Sequence, residues 1–285
     1  MIFCSQQSTA RNINRVTPQR KHGIATAAAA ALLATAFSPG QVAPTSAAPQ
    51  TTVLATAALA AASRPLAGKV ITIDPGHNGR NWANPEIINR IVYAGNGVYK
   101  ACNTTGTSVR GGLTEPAHNL WVARKLRRIL DCRGARVVFT RTTNRGVGPC
   151  ITRRARIGNR AKADVVLSIH ADGNDAPSTR GFHIIRSTGM VGGDRVERAS
   201  KRLARTVSRA FHAKTGMPYS TYVGGRHAVM PRRDIGGMNL SKRPAVMVET
   251  GNMRNATDAS LLSSRSFRLR EARALARGLQ RFLTH

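Results

Sequence analysis

Three apolar runs in this chain each end in a residue able to bind a metal, and that limits the folds open to it. Val70-Ile71-Thr72-Ile73 is rich in β-branched side chains and reads as a buried strand. Asp74-Pro75-Gly76 then stops it, because proline cannot continue a central ladder and glycine permits a sharp turn. His77 follows at the strand's C-terminal end. Val165-Val166-Leu167-Ser168-Ile169 is a second such run and ends in His170-Ala171-Asp172; Ala245-Val246-Met247-Val248 is a third and ends in Glu249-Thr250-Gly251. Ligands of open α/β sheets bind at the C-terminal edge of the strands, so the three runs bring two imidazoles and a carboxylate to one edge.

The segments between these runs alternate in kind. Thr114 reads as an N-cap, with Glu115 and Pro116 in a first turn where a carboxylate suits the positive end of the helix dipole and the missing proline N–H costs nothing. Val122, Leu126, Ile129 and Leu130 give that helix an apolar face, and Gly134 ends it. Strands are expected at 136–141 and 181–185, and a short basic helix at 151–161. Longer amphipathic helices over 194–214 and 266–283 carry Arg198, Arg202, Arg205 and Arg209, and Arg270, Arg273, Arg277 and Arg281, on their outer faces. Residues 78–112 form a long Gly- and Asn-rich excursion, and 221–238 a Gly- and Arg-rich stretch with one apolar patch at Ala228-Val229-Met230. The pattern predicts a single α/β domain, with a mostly parallel twisted sheet flanked by helices on both faces.

The chain of 285 residues is long enough for one catalytic domain and an N-terminal extension. Arg11, Arg15, Arg20 and Lys21 precede an Ala-rich apolar run from Ile24 to Phe37 and then small residues at Thr45-Ser46-Ala47-Ala48, the order of a secretory signal. The apolar run falls short of the roughly 20 residues needed to span a bilayer, so no stable membrane anchor is expected. The domains read as a secretory signal over 1–48, a linker over 49–67 and a catalytic domain over 68–285. The chain is expected to be exported, to a periplasm, a cell wall or the medium, and to be a monomer. Cys102 and Cys150 both lie in polar loops and are expected to form a disulfide in such a compartment, with Cys132 as a buried spare at the end of a helix. The net charge of +31 favours anionic partners. Nucleic acid is excluded as one of them by an aromatic content of only 5% and the lack of any recognition motif.

A catalytic zinc commonly takes three protein ligands and keeps a fourth position open, and two histidines with a glutamate are one recurrent set. His77 and His170 supply the imidazoles. Helix starts and strand C-terminal ends lie on the same side of such a sheet, so Glu115 and Glu249 are both candidates for the third ligand.

Several short motifs in order now resemble one family. They are Asp74-Pro75-Gly76-His77, Glu115 with Asn119-Leu120, Arg141, Arg154 with Asn159, Ser168-Ile169-His170-Ala171, and Val248-Glu249-Thr250-Gly251 with Asn255. From about Lys69 to Leu283 the chain resembles the zinc-dependent N-acetylmuramoyl-L-alanine amidases of the cell-wall hydrolase type. The resemblance implies that His77, Glu115 and His170 bind Zn2+ and that Glu249 is the catalytic glutamate. It also implies cleavage of the bond between N-acetylmuramic acid and the L-alanine of the stem peptide, in peptidoglycan or in muropeptides. A zinc peptidase acting within the stem peptide and a non-catalytic wall-binding protein on the same fold are the alternatives. No insertion over 116–170 reads as an autoinhibitory helix, so an open site is expected.

Other residues have plainer readings. His118, one turn after Glu115, is read as structural rather than metal-facing. Asp74 either orients His77 or caps the turn, and Arg141 and Arg154 tie loops to the sheet. Asp172 stands where many members of the family carry asparagine. The two arginine faces suggest attraction to anionic cell-wall polymers.

Overall fold

The computed structural model describes residues 64–285. The expected secretory signal and most of the expected linker lie outside the described residues. Leu66, within the span read as linker, is fully buried, and its N–H donates to the Arg133 carbonyl at 2.8 Å.

In chain order the first half contains β1 (Val70–Pro75), α1 (Pro85–Ile88), β2 (Ile91–Tyr93), β3 (Tyr99–Ala101), α2 (Glu115–Cys132), β4 (Arg136–Phe139) and α3 (Ile151–Arg160). The second half contains β5 (Val165–Asp172), β6 (His183–Ser187), α4 (Gly193–Thr215), β7 (Val229–Arg232), α5 (Gly236–Asn239), β8 (Ala245–Asn252), α6 (Ala256–Ser263) and α7 (Arg265–Thr284). Six strands make one sheet in the order β4-β1-β5-β8-β6-β7, and β2 and β3 pair separately as an antiparallel ribbon. β4, β1, β5 and β8 run parallel, joined by helical crossovers, as parallel neighbours require. β6 is antiparallel to β8 and carries β7 parallel to itself. The α/β class read from the sequence is therefore the one that forms.

Alternation along the central strands divides their side chains between two cores. Ile71, Ile73, Leu167, Ile169, Val246 and Val248 enter the larger core, which α2, α4 and α7 close with Leu126, Leu203, Phe211 and Leu275. Val166 and Ala245 point the other way, towards a smaller core that includes Met238 of α5. His170 and Glu249 share this second face by the same alternation, and they are paired across β5 and β8 in register.

β1 runs two residues further than its sequence suggests, to Pro75. Its neighbour β4 ends at Phe139, so Pro75 reaches the side of the sheet where no ladder partner remains, and its carbonyl accepts from Arg141 Nε at 2.9 Å instead. α2 begins at Glu115 and closes through Gly134, whose φ of +92° lets its N–H turn back to the Asp131 carbonyl at 2.9 Å. The expected Cys102–Cys150 disulfide is present, with Cα atoms 4.7 Å apart. Cys132 is exposed, contrary to expectation. The buried stripe of α2 runs through Val122, Leu126 and Leu130, and a residue two positions after Leu130 is carried to the opposite side of the helix. Among the described residues no helix is long and apolar enough to cross a membrane.

Candidate active site

The turn after β1 is held from below by charge. Arg154 of α3 donates through Nη1 to Asp74 Oδ1 at 2.6 Å and to the Pro75 carbonyl at 2.8 Å, and through Nη2 to the His77 carbonyl at 2.7 Å. Thr140 and Ser168 hydroxyls complete the shell of Asp74 at 2.5 and 2.7 Å. Burial pushes the Asp74 carboxyl up, but the Arg154 charge and these hydrogen bonds outweigh it and bring the pKa to about 2. Asp74 makes no hydrogen bond to His77, so it neither orients that imidazole nor caps the turn; it anchors Arg154. Arg141 donates to the carbonyls of Pro75, Gly76, Pro116 and Thr143, and burial beside Arg154 lowers its own pKa to about 9. Both arginines do tie loops to the sheet.

Within that turn the left-handed residue is His77, at φ 57°, not the glycine before it. Gly76 is required for a different reason: a Cβ there would collide with the imidazole of His170. A non-glycine residue in this region stores strain, which persists only where the surroundings over-determine it. Here Arg154 fixes the His77 carbonyl, and the Thr104 carbonyl accepts from His77 Nδ1 at 3.0 Å. That bond leaves Nε2 turned towards Glu115.

His77, Glu115 and His170 offer ligand atoms that all lie within 4.8 Å of one another. Glu115 Oε1 is 3.1 Å from His77 Nε2 and 2.9 Å from His170 Nδ1. Glu115 also accepts from Asn119 Nδ2 at 3.2 Å, from the Ala171 N–H at 3.2 Å and, through Oε2, from the Thr107 N–H at 2.9 Å. Burial alone would raise this carboxyl, but the charge of His77 and the hydrogen bonds from both imidazoles hold it well below the usual carboxylate range. Burial lowers His170, and on His77 the nearby Glu115 overcomes burial and raises it. Two nitrogens and one ionised oxygen, converging and held by outer hydrogen bonds, fit a zinc ion with an open fourth position.

Glu249 is made differently. Its Oε2 is enclosed with no hydrogen-bond partner among the described residues, and burial, reinforced by the negative charges of Glu115 and Asp172, raises its pKa well above the usual carboxylate range, against a counter-pull from Arg232. His183, its cross-strand partner on β6, is buried, and burial lowers its pKa to about 4, so it stands there as a neutral ring. Asp172 accepts from the Tyr222 hydroxyl at 2.6 Å, and Arg232 is bound by Asp234. His118 lies away from the metal ligands: its Nε2 meets Glu271 Oε2 at 3.1 Å in the interior, the structural role expected of it. Three supporting groups escaped the sequence reading. Thr104 meets His77 Nδ1 with its backbone carbonyl and also with its hydroxyl, at 3.1 Å, but lies 27 residues away in a loop with no local signal; Thr107 acts through its N–H, and Tyr222 sits in a stretch with no periodicity.

Comparison with known proteins gives a consistent answer. The family model described as N-acetylmuramoyl-L-alanine amidase matches residues 71–281. The chain is 36% identical over 218 residues to the N-acetylmuramoyl-L-alanine amidase Rv3717 of Mycobacterium tuberculosis, covering 76% of this chain and 88% of that one. Among solved structures it is similar to the N-acetylmuramyl-L-alanine amidase Ami1 of Mycobacterium smegmatis, with a TM-score of 0.71, 35% identity and coverage of 76% of this chain and 98% of that one. The apo form of Ami1 from Mycobacterium abscessus gives the same TM-score of 0.71 at 37% identity, over 76% of this chain and 100% of that one.

Two expectations follow from this geometry. Because the folded-state pKa of Asp74 is depressed, its contribution is present above about pH 4 and is lost as pH falls through about 2. Urea unfolding of the native chain and of Asp74→Asn should therefore show a stability gap of which about 2 kcal/mol disappears between about pH 5 and pH 1; a gap independent of pH contradicts the assignment. Gly76→Ala should leave the circular dichroism of the fold intact while weakening zinc binding, read by calorimetric titration of the chelator-stripped protein, at least about tenfold. Unchanged zinc affinity would show that the close approach of Gly76 to His170 does not matter.

Proposed function

The chain belongs to the N-acetylmuramoyl-L-alanine amidase family, and we propose that His77, Glu115 and His170 hold its zinc while Glu249 moves the proton in the reaction. The activity is hydrolysis of the amide bond that joins N-acetylmuramic acid to L-alanine in peptidoglycan. The observation that carries the division of roles is the opposite environment of the two glutamates: Glu115 is surrounded by donors and held ionised, and Glu249 has an unpartnered oxygen and a raised pKa.

Zinc bound by these donors supplies Lewis-acid polarisation of the amide carbonyl and a water of lowered pKa. Glu249, registered beside His170 on the same face of the sheet, accepts the proton of the attacking water. It then returns that proton to the amide nitrogen, so L-alanine leaves as a free amine while the water oxygen stays on the lactyl carboxyl. Neutral His183 and the Tyr222–Asp172 pair border this side of the site.

A disulfide-bonded enzyme whose substrate is the cell wall works outside the cytoplasm. Export by the expected 1–48 signal, to a periplasm, a wall or the medium, is part of the proposal. So is retention by anionic wall polymers. The guanidinium groups of Arg198, Arg202, Arg205 and Arg209 on α4, and of Arg270, Arg273, Arg277 and Arg281 on α7, take part in none of the ion pairs among the described residues. Long-range attraction by such charges is screened within about 10 Å at 0.1 M salt.

Glu249→Gln is expected to retain one zinc per chain and to lower turnover at least about a hundredfold, since glutamine keeps the shape but cannot take the proton. Mass analysis of a muropeptide digest by the native chain should show intact stem peptide and peptide-free glycan; shortened peptides still attached to sugar would mark a peptidase. For the arginine faces, co-sedimentation with wall material should fall steeply as sodium chloride rises from roughly 50 to 500 mM, and salt-independent binding would refute polyanion attraction.

A further inference from the structure

Between His77 and Glu115 the chain makes an excursion that carries a surface the cleavage reaction does not use. Pairing of Ile91 with Ala101, Val92 with Lys100 and Tyr93 with Tyr99 fixes which side chains of the β2–β3 ribbon share a face. By strand alternation Ile91, Tyr93, Tyr99 and Ala101 lie on one side, and Val92 and Lys100 on the other. The Lys100 side faces the body of the protein, where Nζ donates to the Asp234 carbonyl at 2.8 Å. The opposite side is apolar and open, with Ile91 64%, Tyr93 47% and Tyr99 67% exposed and the two tyrosine rings 5.3 Å apart. Trp82, 73% exposed, and Ile87, 43% exposed, belong to the same excursion, so five of the six exposed large hydrophobic side chains among the described residues fall within residues 82–99. A ribbon under no demand but solubility carries polar side chains on its open face, and concentration of apolar ones marks a binding surface.

The frame is rigid and continuous with the active site. Cys102 is bonded to Cys150, its N–H donates to the Arg90 carbonyl at 2.8 Å, and Asn239 Nδ2 holds the Ala94 carbonyl at 3.0 Å. Asn81, next to Trp82, donates to the Thr104 carbonyl at 2.8 Å, the same oxygen that fixes the His77 ring. On the other side Lys100 binds Asp234, which binds Arg232, whose charge is felt by Glu249. Rings held this way lose little freedom when a ligand stacks on them.

We propose that this face is a docking platform for the glycan strand of the wall polymer, with the C–H faces of pyranose rings stacked on Tyr99 and Tyr93 beside Ile91. The proposal rests on the amidase reading above, because the bond that is cut has a sugar on one side, and in polymer that sugar continues as a chain away from the metal ligands. A pyranose presents a flat patch of polarised C–H groups and a polar rim, which suits the negative face of an aromatic ring bordered by hydroxyls. A protein partner is less well served: the ribbon face offers three large exposed side chains, two of them tyrosines of roughly 150 to 250 Å² each when whole, short of the about 800 Å² per partner of a stable interface. The consequence is a preference for polymer over soluble muropeptides.

The test uses the full chain with Ile91→Ser and Tyr99→Ser, singly and together, and Val191→Ser as an exposed apolar control outside the excursion. Co-sedimentation with insoluble peptide-free glycan, on which no cleavage occurs, should weaken at least about tenfold in the double variant, as loss of two ring or methyl contacts implies, and should not change in the control. Turnover of polymer should fall with it, while turnover of a soluble N-acetylmuramoyl-peptide stays within about twofold of the native value. Glycan binding equal to the native chain in the double variant overturns the proposal. So does loss, instead, of binding to anionic phospholipid vesicles or of self-association in sedimentation velocity, since either identifies a different occupant. Should the native chain cleave neither polymer nor fragment, the amidase reading fails, and the glycan co-sedimentation still decides the platform on its own.

Discussion

The guanidinium of Arg154 is the contact on which the rest of the site depends. It joins the Asp74 carboxylate to the carbonyls of Pro75, His77 and Pro149, so one buried side chain fixes the end of β1, the strained residue that carries a ligand, and the loop that leads to Cys150. A buried charge of this kind is tolerable only when paired and fully hydrogen-bonded, and Thr140 and Ser168 supply what the arginine leaves unmet on Asp74. The disulfide then carries the same constraint into the excursion, whose Thr104 carbonyl returns to hold the His77 ring. Strain at φ 57° is thus locked from both sides of the turn.

On that base the sheet does the positioning and the surroundings assign the chemistry. Parallel pairing of β5 with β8 puts His170 and Glu249 side by side, and the start of α2 brings Glu115 between the two imidazoles. The two glutamates differ in what meets them rather than in what they are. Backbone and side-chain donors converge on Glu115, which suits the ligand role proposed for it; Glu249 is left with an unpartnered oxygen in a site already carrying negative charge, which suits the proposed proton carrier.

Much of this was legible in the chain. β-Branched runs ending in His77, His170 and Glu249 announced the strands and their edge, because a strand buried on both faces leaves a continuous apolar signature. The amphipathic helices were plain because their apolar residues recur at helical spacing on one face. What stayed hidden depended on distant partners. Gly76 reads locally as a turn glycine, but its need comes from the His170 ring, which only the fold brings near. Asp74 reads as a partner for His77 or as a cap of its turn, and its actual partners are Thr140 after β4, Arg154 of α3 and Ser168 of β5. The short strands β2, β3 and β7 lie in Gly-rich stretches with too few residues for a period to show, and Cys132, half a helical turn from the buried stripe of α2, lies on its open side.

The central claim is that Glu115 binds the metal and Glu249 stands beside it. Diffraction from crystals of the zinc-loaded protein, collected at the zinc absorption edge, tests it most directly. One anomalous peak is expected within bonding distance, about 2.0 to 2.2 Å, of His77, His170 and a Glu115 oxygen, with the Glu249 carboxylate outside that shell. A peak bonded to Glu249 with Glu115 outside the shell would contradict it.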